Sequence, residues 1–586
     1  KKSEKFIENF FIKKGLKSIV TESKKKKILN SELKSKKIYT PELKEMVADW
    51  SDRDIWELNR GGHDPAKIYA AFHAAVNHKG QPTVILPKTV KGYGMGESGE
   101  AQNITHQQKK MSLDSLKIFR DRFELPIDDD NIESLPYLTF EEGSKELEYM
   151  QQRREDLGGY LPARRQKSSP LIVPELNTFD SLLKATAEGR EISTTMAFVR
   201  ILNILVKDKN LGNRVVPIVP DESRTFGMEG MFRQLGIYSS IGQLYEPQDS
   251  KQVMFYKEQK DGQILEEGIN EAGSFSSWIA AATTYSNSNI QMIPFYIFYS
   301  MFGFQRTGDL AWAAGDSRCR GFLLGATAGR TTLNGEGLQH EDGHSHLLAA
   351  TIPNCISYDP CFAYELAVIV QDGLERMFQN QEDVYYYITI MNENYIHPPL
   401  PKGVERDIIN GIYLYKKSTI KGPKVQLIGS GAILREVIEA ASILEKDFKI
   451  AANVLSATSF NELRKNALEI ERWNRLNPGK KKKSSHIENT ITDKKSPVIA
   501  STDYMKSFPE QISRFLPNKF IALGTDGYGR SDSREALRDF FEVNRYHVVL
   551  AAITALVDIN KIDISILLKA AKNFKLDGNK LNPINN

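Results

Sequence analysis

Three histidines lie within seven positions of the stretch GLQHEDGHSH, residues 337–346, although the whole chain of 586 residues has only ten. Imidazole side chains bind metal ions and exchange protons near neutral pH, so this stretch is the first candidate for chemistry. The segment from His340 to His344 matches the HExxH pattern of zinc proteases. Because that pattern requires a helix and Gly343 lies inside it, we favour a loop over metal ligation. Two interpretations remain equal on the residues alone: an imidazole in a ligand pocket, and a polar loop packed on the core.

A fourth histidine, His106, lies in the polar stretch AQNITHQQKKM, shortly after the glycine-rich segment 92–99. Glycines and small polar residues predict a mobile loop here. A histidine on such a loop could close over a substrate and exclude water. For an isolated histidine, an exposed surface position is the favoured alternative.

Acidic residues supply two further candidates. Glu271 stands immediately before an apolar segment in EGINEAGSFSSWIAAATTYS, where it could act through a proton or simply begin a helix. Asp221 and Glu222 directly follow the apolar run VVPIVP at 215–220. Open α/β sheets bind ligands just beyond their strand ends, so this pair could line a site. The alternative is that the two carboxylates cap a helix.

The elements that must position these residues follow an alternating pattern of strands and helices. Strands are predicted at residues 215–220, 291–299 and 353–360, with the helical patterns MAFVRILNIL, WIAAATTYS and YELAVIVQDGLERMF around them. The first of these helices could be capped by Ser193, Thr194 or Thr195. Such alternation predicts an α/β fold with a parallel sheet covered on both faces.

Similar patterns occur on either side of this region. GGHDPAKIYAAFHAAVNHKG predicts a helix with Asp64 as its N-cap and Pro65 at its first position. PTVILPKTVKGYGMG then predicts a buried strand that ends in a glycine-rich loop. Towards the C-terminus, KVQLIGSGAILREVIEAASIL predicts a strand, a turn and a helix. Its lone GSG is a weak nucleotide-binding signal, so a tight turn that lets the helix pack on the strand is favoured.

Breaks in these patterns predict the domain organisation. A polar stretch with glycines and prolines at 140–175 is typical of a linker, and PPLPKG marks a second break. We therefore expect a lysine-rich, unassigned segment at residues 1–45 and three domains at 46–170, 171–400 and 401–586.

Composition excludes several classes of protein. The chain is 41% hydrophobic and 26% charged, as in soluble globular proteins. The apolar run VVLAAITALV at 548–557 is too short to cross a bilayer, and the first residues lack a secretory signal, so no membrane partner is expected. The lysine runs at 1–44 and 480–483 match no nucleic-acid-binding signature, so we interpret them as solvated segments and expect no nucleic-acid partner. The three cysteines form no CxxC motif, which favours the cytoplasm.

Several stretches together resemble the homodimeric pyruvate dehydrogenase (acetyl-transferring) component of bacterial pyruvate dehydrogenase complexes, a thiamin diphosphate enzyme. The resemblance runs from about residue 46 to the C-terminus and departs near the lysine-rich insert at 480–495. It is carried by RGGHDPAKIYAAF, VKGYGMGESGEAQNITHQQKKM, DESRTFGMEGMFRQLGIY, EEGINEAG, IPFYIFYSMFGFQRTGDL, TTLNGEGLQHEDGHSH, IPNCISYDP and GTDGYGRSDSRE.

The resemblance implies transketolase-like thiamin diphosphate-binding domains with mostly parallel sheets. Residues 46–170 would be the C-terminal part of the diphosphate-binding domain, with a mobile active-site loop and a linker. Residues 171–400 would be the pyrimidine-binding domain, and residues 401–586 a transketolase C-terminal-like α/β domain. In a homodimer of this kind the cofactor lies between the diphosphate domain of one subunit and the pyrimidine domain of the other.

The resemblance also implies roles for individual residues. Glu271 matches the glutamate that hydrogen-bonds the aminopyrimidine ring of the cofactor, Phe302 the residue that stacks on it, and Tyr299 a residue that lines the same site. His106 matches a mobile-loop histidine linked to closure and acetyl transfer, and His340 a pocket histidine that contacts the substrate.

Further expected active-site residues are Asp221 and Lys91 for the cofactor and Glu222 for catalysis. His344 and His346 are expected to support their loop. The implied activity is oxidative decarboxylation of pyruvate, with acetyl transfer to the lipoyl domain of the dihydrolipoyl acetyltransferase component.

One family motif is missing from this sequence. The family binds Mg²⁺ and the diphosphate through a GDG motif and a later asparagine, since a hard cation needs oxygen ligands, and no GDG occurs in the 586 residues. The Mg²⁺ ligands are therefore expected upstream of residue 1, and the chain is expected to be the C-terminal portion of the enzyme. One alternative is an inactive truncated remnant that folds and dimerises. Another is a transketolase, but the stretches DESRTFGMEG and HEDGHSH argue against it.

Overall fold

The structure is a computed structural model that describes residues 48–51, 61–159, 165–220 and 223–585. The chain divides into two compact units, residues 1–158 and residues 159–586. The lysine-rich segment 1–45, Asp221 and Glu222, for which the sequence makes predictions, lie outside the described residues.

The first unit contains helices that begin at well-formed caps. They are α1 (Pro65–Asn77), α2 (Leu113–Arg122) and α3 (Lys145–Asp156). The Asp64 carboxylate accepts a hydrogen bond from the Lys67 amide at 3.1 Å, and Pro65 occupies the first position of α1. The predicted start of this helix is confirmed.

Helix α3 corrects the prediction of a linker over residues 140–175. Its sequence KELEYMQQRRED has strong helix formers but few apolar residues, and none of its side chains is buried. Because the helical signal in a sequence depends on an apolar stripe, a wholly polar helix of this kind resembles a linker.

The predicted buried strand PTVILPKTV is also wrong. Residues 83–90 form no strand, and the side chains of Val84 and Leu86 are 78% and 66% exposed. A strand requires a neighbour for its backbone hydrogen bonds and a layer over its apolar side chains, and the described residues of the unit provide neither. The Val90 amide donates instead to Nε2 of His63, at 2.7 Å.

The second unit contains a parallel sheet that carries most of the predicted strands. Within the described residues it has six strands in the order β4-β1-β5-β6-β8-β7, each parallel to its neighbours. The strands of this region are β1 (Val215–Val219), β2 (Ile237–Tyr238), β3 (Glu258–Gln259), β4 (Leu265–Glu266), β5 (Ile293–Tyr299), β6 (Phe322–Ala326), β7 (Cys355–Tyr358) and β8 (Tyr385–Thr389). Strands β2 and β3 form a separate two-stranded sheet, and a single bridge joins Ile237 of β2 to Ile264. The predicted strands at 215–220, 291–299 and 353–360 are confirmed as β1, β5 and β7.

Helices on both faces explain why these strands are continuous apolar runs. The helices are α4 (Asp180–Leu183), α5 (Thr194–Leu205), α6 (Phe232–Leu235), α7 (Glu271–Ala282), α8 (Thr284–Ser288), α9 (Ser300–Asp316), α10 (Ser345–Ala349) and α11 (Ala363–Leu374). Of the three candidate caps for α5, Ser193 is the one used, since its hydroxyl accepts from the Met196 amide at 3.1 Å.

A second, smaller sheet follows in the same unit. In the described part of the chain its order is β13-β12-β10-β11-β9, parallel except that β9 runs antiparallel to β11. The strands are β9 (Ile412–Lys416), β10 (Lys424–Gly429), β11 (Ala451–Ala457), β12 (Val498–Ser501) and β13 (Phe520–Leu523). The helices are α12 (Glu405–Asn410), α13 (Ile433–Asp447), α14 (Phe460–Leu476), α15 (His486–Thr490), α16 (Ser507–Glu510), α17 (Arg534–Phe540), α18 (Arg545–Asp558) and α19 (Ile564–Asn573). The predicted strand–turn–helix is β10 and α13, so the α/β fold with mostly parallel sheets is confirmed.

The apolar run near the C-terminus forms a core helix, as predicted. The stretch Arg534–Asp558 is long and apolar enough to cross a membrane by length and composition alone. In the structure a break between α17 and α18 divides it, and Val549, Ile553 and Leu556 on α18 are buried in the core. Partly buried core helices pass the same compositional test.

Candidate active site

The junction of β5 and α9 positions two of the predicted site residues. Tyr299 is the last residue of β5, and α9 begins at the next residue, so Phe302 lies in the first turn of the helix. The strands of this sheet are parallel, so the junction lies at the carboxyl edge where α/β sheets bind ligands. Gly303 makes the turn possible, because a Cβ there would lie 1.9 Å from Cε2 of Phe298.

Helix α7 brings Glu271 to the same place. Asn270 caps the helix by accepting from the Gly273 amide at 3.0 Å, which fixes Glu271 at the first helical position. Phe275 and Trp278 anchor the helix in the core. The Glu271 side chain is 14% exposed, so it is mostly buried and only a small part of it contacts solvent.

The histidine-rich stretch forms a loop, as predicted, and brings His340 into the site. Residues Leu338–His340 make one 3-10 turn, and the following residues up to His344 are not helical. The His340 ring lies 4.8 Å from the Tyr299 ring and 5.1 Å from the Phe302 ring, edge-on to both. Its Nδ1 atom is buried and has no hydrogen-bond partner among the described residues. A buried polar atom without a partner indicates a place for a further group.

The other two histidines of the loop lie in different surroundings. His344 Nε2 is 3.2 Å from Oε1 of Gln305, while His346 is buried and its Nε2 is 3.0 Å from the Thr389 hydroxyl. The His346 ring stacks on Phe508 at 4.9 Å, and burial lowers its pKa to about 4. His346 is therefore neutral at physiological pH and acts as part of the core.

Two carboxylates hold the loop in place. Asp342 Oδ1 accepts from the amides of His344 and Ser345, both at 2.9 Å, and so starts α10. The buried Glu341 accepts from the Arg530 amide at 2.6 Å through Oε2, while its other oxygen has no partner among the described residues. Burial raises the pKa of Glu341 to about 8.

Arg306 is a site residue that sequence reasoning missed. Its Nη1 donates to Oε1 of Glu271 at 2.6 Å, and its guanidinium lies 3.9 Å from the centre of the Phe302 ring. Positions four apart on a helix share a face, so the spacing of Phe302 and Arg306 could have suggested the second contact. The contact with Glu271 joins two different helices and has no local signal.

The remaining predicted residues fall into two groups. His106 ends the 3-10 turn Asn103–His106 in the first unit and is exposed, and Lys91 is an exposed residue of the same unit whose carbonyl accepts from the Ala101 amide at 2.9 Å. Asp221 and Glu222 lie outside the described residues. The segment that follows them does reach the site, since the Phe226 ring lies 5.6 Å from that of Tyr299.

Comparisons with known proteins agree on one family. The model of the pyruvate dehydrogenase E1 component middle domain matches residues 171–398, and that of the transketolase-like TK C-terminal domain matches residues 411–544. The pyruvate dehydrogenase E1 component of Cupriavidus necator is 63% identical over 543 residues, 92% of this chain and 61% of the relative. That of Escherichia coli K12 is 56% identical over 543 residues, 92% of this chain and 60% of the relative. The chain belongs to the pyruvate dehydrogenase E1 component family.

This member of the E1 family spans about three fifths of the length of the curated relatives it matches. Solved structures with a similar fold include the transketolase of Campylobacter jejuni, with a TM-score of 0.57, 17% identity, and coverage of 84% of this chain and 66% of that one. A Pichia stipitis transketolase complex with sedoheptulose-7-phosphate has a TM-score of 0.57, 13% identity, and coverage of 90% and 70%. Identities this low show the fold alone, and the predicted transketolase-like fold is confirmed.

Thiamin diphosphate is the cofactor that this E1 and transketolase-like family implies. Glu271 and Phe302 in the second unit fit its aminopyrimidine end, because a carboxylate can accept from the ring and an aromatic face can stack on it. The Nδ1 atom of His340, whose ring contacts Phe302, is buried without a partner among the described residues and could pair with a polar group of a ligand. The GDG motif for the diphosphate and Mg²⁺ is absent from the 586 residues.

Proposed function

We propose that this E1-family chain binds the aminopyrimidine end of thiamin diphosphate and takes part in the oxidative decarboxylation of pyruvate. The observation that carries the proposal is the cluster at the carboxyl edge of β5, where the rings of Phe302 and His340 meet and Arg306 links Phe302 to Glu271. When bound, the cofactor supplies the electron sink that allows pyruvate to lose carbon dioxide. The names of the relatives, pyruvate dehydrogenase E1 component, support the choice of pyruvate.

Each residue of the cluster has a distinct task in this proposal. Glu271 accepts a hydrogen bond from the aminopyrimidine, and Phe302 stacks on the ring while Tyr299 lines its edge. His340 meets the substrate through its unpartnered Nδ1, where it exchanges a proton or a hydrogen bond with a carbonyl or carboxylate oxygen. The aromatic rings around it keep water away, which strengthens each of these polar contacts.

Residues outside the cluster complete the proposal. We assign His106 to closure of the site and acetyl transfer, Lys91 and Asp221 to cofactor binding, and Glu222 to catalysis. Mg²⁺ would be held by residues other than those of this chain. Residues 46–170 would belong to the diphosphate-binding domain, 171–400 to the pyrimidine-binding domain and 401–586 to the C-terminal domain.

The proposed partners are pyruvate, the lipoyl domain of the acetyltransferase component, and a second copy of the chain in a homodimer. The proposed location is the cytoplasm. The cysteines Cys319, Cys355 and Cys361 are buried thiols, which fits a reducing compartment.

Calorimetric titration with thiamin diphosphate and excess Mg²⁺ tests the proposal, followed by assays of pyruvate decarboxylation and of reductive acetylation of a lipoyl domain. We expect binding that does not require Mg²⁺, because the proposal places the Mg²⁺ ligands outside this chain. Glu271→Gln should weaken this binding at least about tenfold, since the amide accepts a hydrogen bond more weakly than the carboxylate. Glu336 is exposed in the histidine loop, the segment 327–344 between β6 and α10. Glu336→Gln is therefore the matched control and should bind as the unaltered chain does.

Other outcomes would contradict the proposal. Absence of binding would favour a folded remnant without cofactor chemistry. Turnover of sugar phosphates instead of pyruvate would favour a transketolase.

A further inference from the structure

We propose that Arg306 occupies the place of the cofactor's aminopyrimidine ring when the site is empty, and must move aside when the cofactor binds. This inference rests on the proposed function, because it concerns how the same site receives its ligand. It assigns to Arg306 a role as a competitor for the contacts of Glu271 and Phe302.

The guanidinium of Arg306 makes the two contacts that an aminopyrimidine would make. It is planar and lies 3.9 Å from the centre of the Phe302 ring, as a stacked heterocycle would. Its Nη1 donates to Oε1 of Glu271 at 2.6 Å, as the nitrogen of an aminopyrimidine would. One ring face and one carboxylate oxygen cannot serve both groups at once, so the two occupants exclude each other.

The two aromatic rings next to Phe302 do not stack on it, whereas the guanidinium of Arg306 lies over its face. Tyr299 and His340 meet the Phe302 ring at interplanar angles of 72° and 68°, which are edge-to-face contacts. A flat ligand that stacks on the same face of Phe302 therefore has to displace the guanidinium.

The position of Arg306 on α9 allows it to leave without a change of fold. Its side chain is 49% exposed, so solvent is directly accessible to it. The next residue, Thr307, has non-helical dihedrals of φ −128° and ψ 23°, so Arg306 stands at a kink in α9. Rotation of a long, half-exposed side chain into water costs little, because exposed ion pairs and exposed cation–π contacts are individually weak.

The arrangement gives the empty site two properties. The carboxylate of Glu271 keeps a cationic partner, and the apolar face of Phe302 stays covered. The cofactor then binds against a competitor that is part of the protein. Together the two weak contacts should lower the affinity for the cofactor by roughly three- to tenfold.

The test compares the unaltered chain with Arg306→Ala in calorimetric titrations with thiamin diphosphate and excess Mg²⁺. We expect Arg306→Ala to bind about three- to tenfold more tightly. Arg306→Lys, which keeps the charge but loses the planar group, should lie between the two.

Arg514→Ala is the matched control. Arg514 also pairs with a glutamate, Glu471, at 2.5 Å, and lies 4.8 Å from the ring centre of Phe515, but on the C-terminal sheet domain. Its removal should leave the affinity unchanged.

A second readout follows the arginine side chains directly. Guanidinium signals in the NMR spectrum of arginine-labelled chain should show one arginine, absent from the Arg306→Ala spectrum, that becomes mobile when the cofactor is added. Equal or weaker binding by Arg306→Ala, with binding by the unaltered chain intact, would overturn the inference alone. Absence of binding by both proteins would overturn the proposed function and the inference with it.

Discussion

His340, His344 and His346 share one loop, but their neighbours give them different chemistry. His340 faces two aromatic rings and keeps a buried nitrogen without a partner among the described residues. His346 is enclosed by Tyr504 and Phe508 and is held neutral by burial. The Nδ1 atom of His346 also lacks a partner among the described residues, but that residue is fully buried. A ring nitrogen can act on a substrate only where a ligand can reach it, and the partly exposed His340 meets that condition better than His346.

Glu341, next to His340, should make the stability of the protein depend on pH. Its folded-state pKa of about 8 lies above the ordinary value of 4.5, so the unfolded chain loses the proton first as pH rises. The contribution of Glu341 to stability is therefore complete below about pH 4.5 and is lost as pH rises towards about 8. Glu341→Gln cannot ionise, so its free energy of unfolding should fall less over this window.

Denaturant titrations at several pH values between these limits measure the effect. Glu336→Gln serves as the control, because Glu336 is exposed on the same loop. An identical pH dependence for Glu341→Gln and the unaltered chain would mean that Glu341 is ionised in the folded state.

At the scale of elements, the direct passage from β5 into α9 fixes the site. Tyr299 and Phe302 belong to a strand end and a helix start with no loop between them, so their rings are held by the sheet itself. Side chains placed in this way are positioned more sharply than those on loops. This geometry brings residue 303 so close to the Phe298 ring that only a glycine, which has no Cβ, fits there.

Gly303→Ala should therefore damage both stability and ligand binding. The new Cβ would lie 1.9 Å from Cε2 of Phe298, so α9 or the Phe298 ring must shift, at a cost of about 1–3 kcal/mol. The shift would also displace Phe302. Thermal unfolding and titration with thiamin diphosphate would measure the two effects.

The same helix supplies the control for this prediction. A Cβ at Gly308 would meet nothing within 4 Å, so Gly308→Ala should be neutral or stabilise the protein by up to about 1 kcal/mol. Equal behaviour of the two alanine variants would contradict the proposed role of the tight turn.

At the scale of the whole second unit, buried polar contacts join the two sheets. Asp503, just after β12, accepts from the amide and the hydroxyl of Thr331, at 3.0 and 2.7 Å. Arg538 on α17 pairs with Glu393, which follows β8, and Nη1 lies 3.2 Å from Oε1. Although burial opposes ionisation, Arg538 and Arg435 hold the pKa of Glu393 below its usual range. The histidine loop contacts the region of the second sheet, since Glu341 accepts from the Arg530 amide, so the site depends on both sheets.

Arg538→Met should strongly destabilise the second unit. The change leaves the buried Glu393 with only Arg435, and breaking a buried ion pair from one side costs about 3–5 kcal/mol. We expect a lower unfolding midpoint and a broader or divided transition, measured by calorimetry, as the two sheets lose a common anchor.

The exposed pair of Arg514 and Glu471 again provides the comparison. Arg514→Ala should change the free energy of unfolding by less than about 1 kcal/mol. A similar small effect for Arg538→Met would mean that the ion pair between Arg538 and Glu393 contributes little to holding the two sheets together.

The sequence by itself determined the features that are local. Apolar runs predicted β1, β5 and β7, and the cap Asp64 and the candidate caps Ser193, Thr194 and Thr195 marked the starts of their helices, because a strand face or a helix end depends on residues a few positions apart. Motifs of several residues were also sufficient to indicate the family.

Tertiary structure decided which distant residues meet. The apolar segment 83–90 has the composition of a buried strand but finds no pairing partner in the described part of its unit, and composition cannot report a missing neighbour. The contacts of Arg306 with Glu271 and of His340 with Tyr299 join separate elements through the packing of the sheet and its helices. Such contacts follow from the three-dimensional arrangement of the chain, and no spacing along the sequence encodes them.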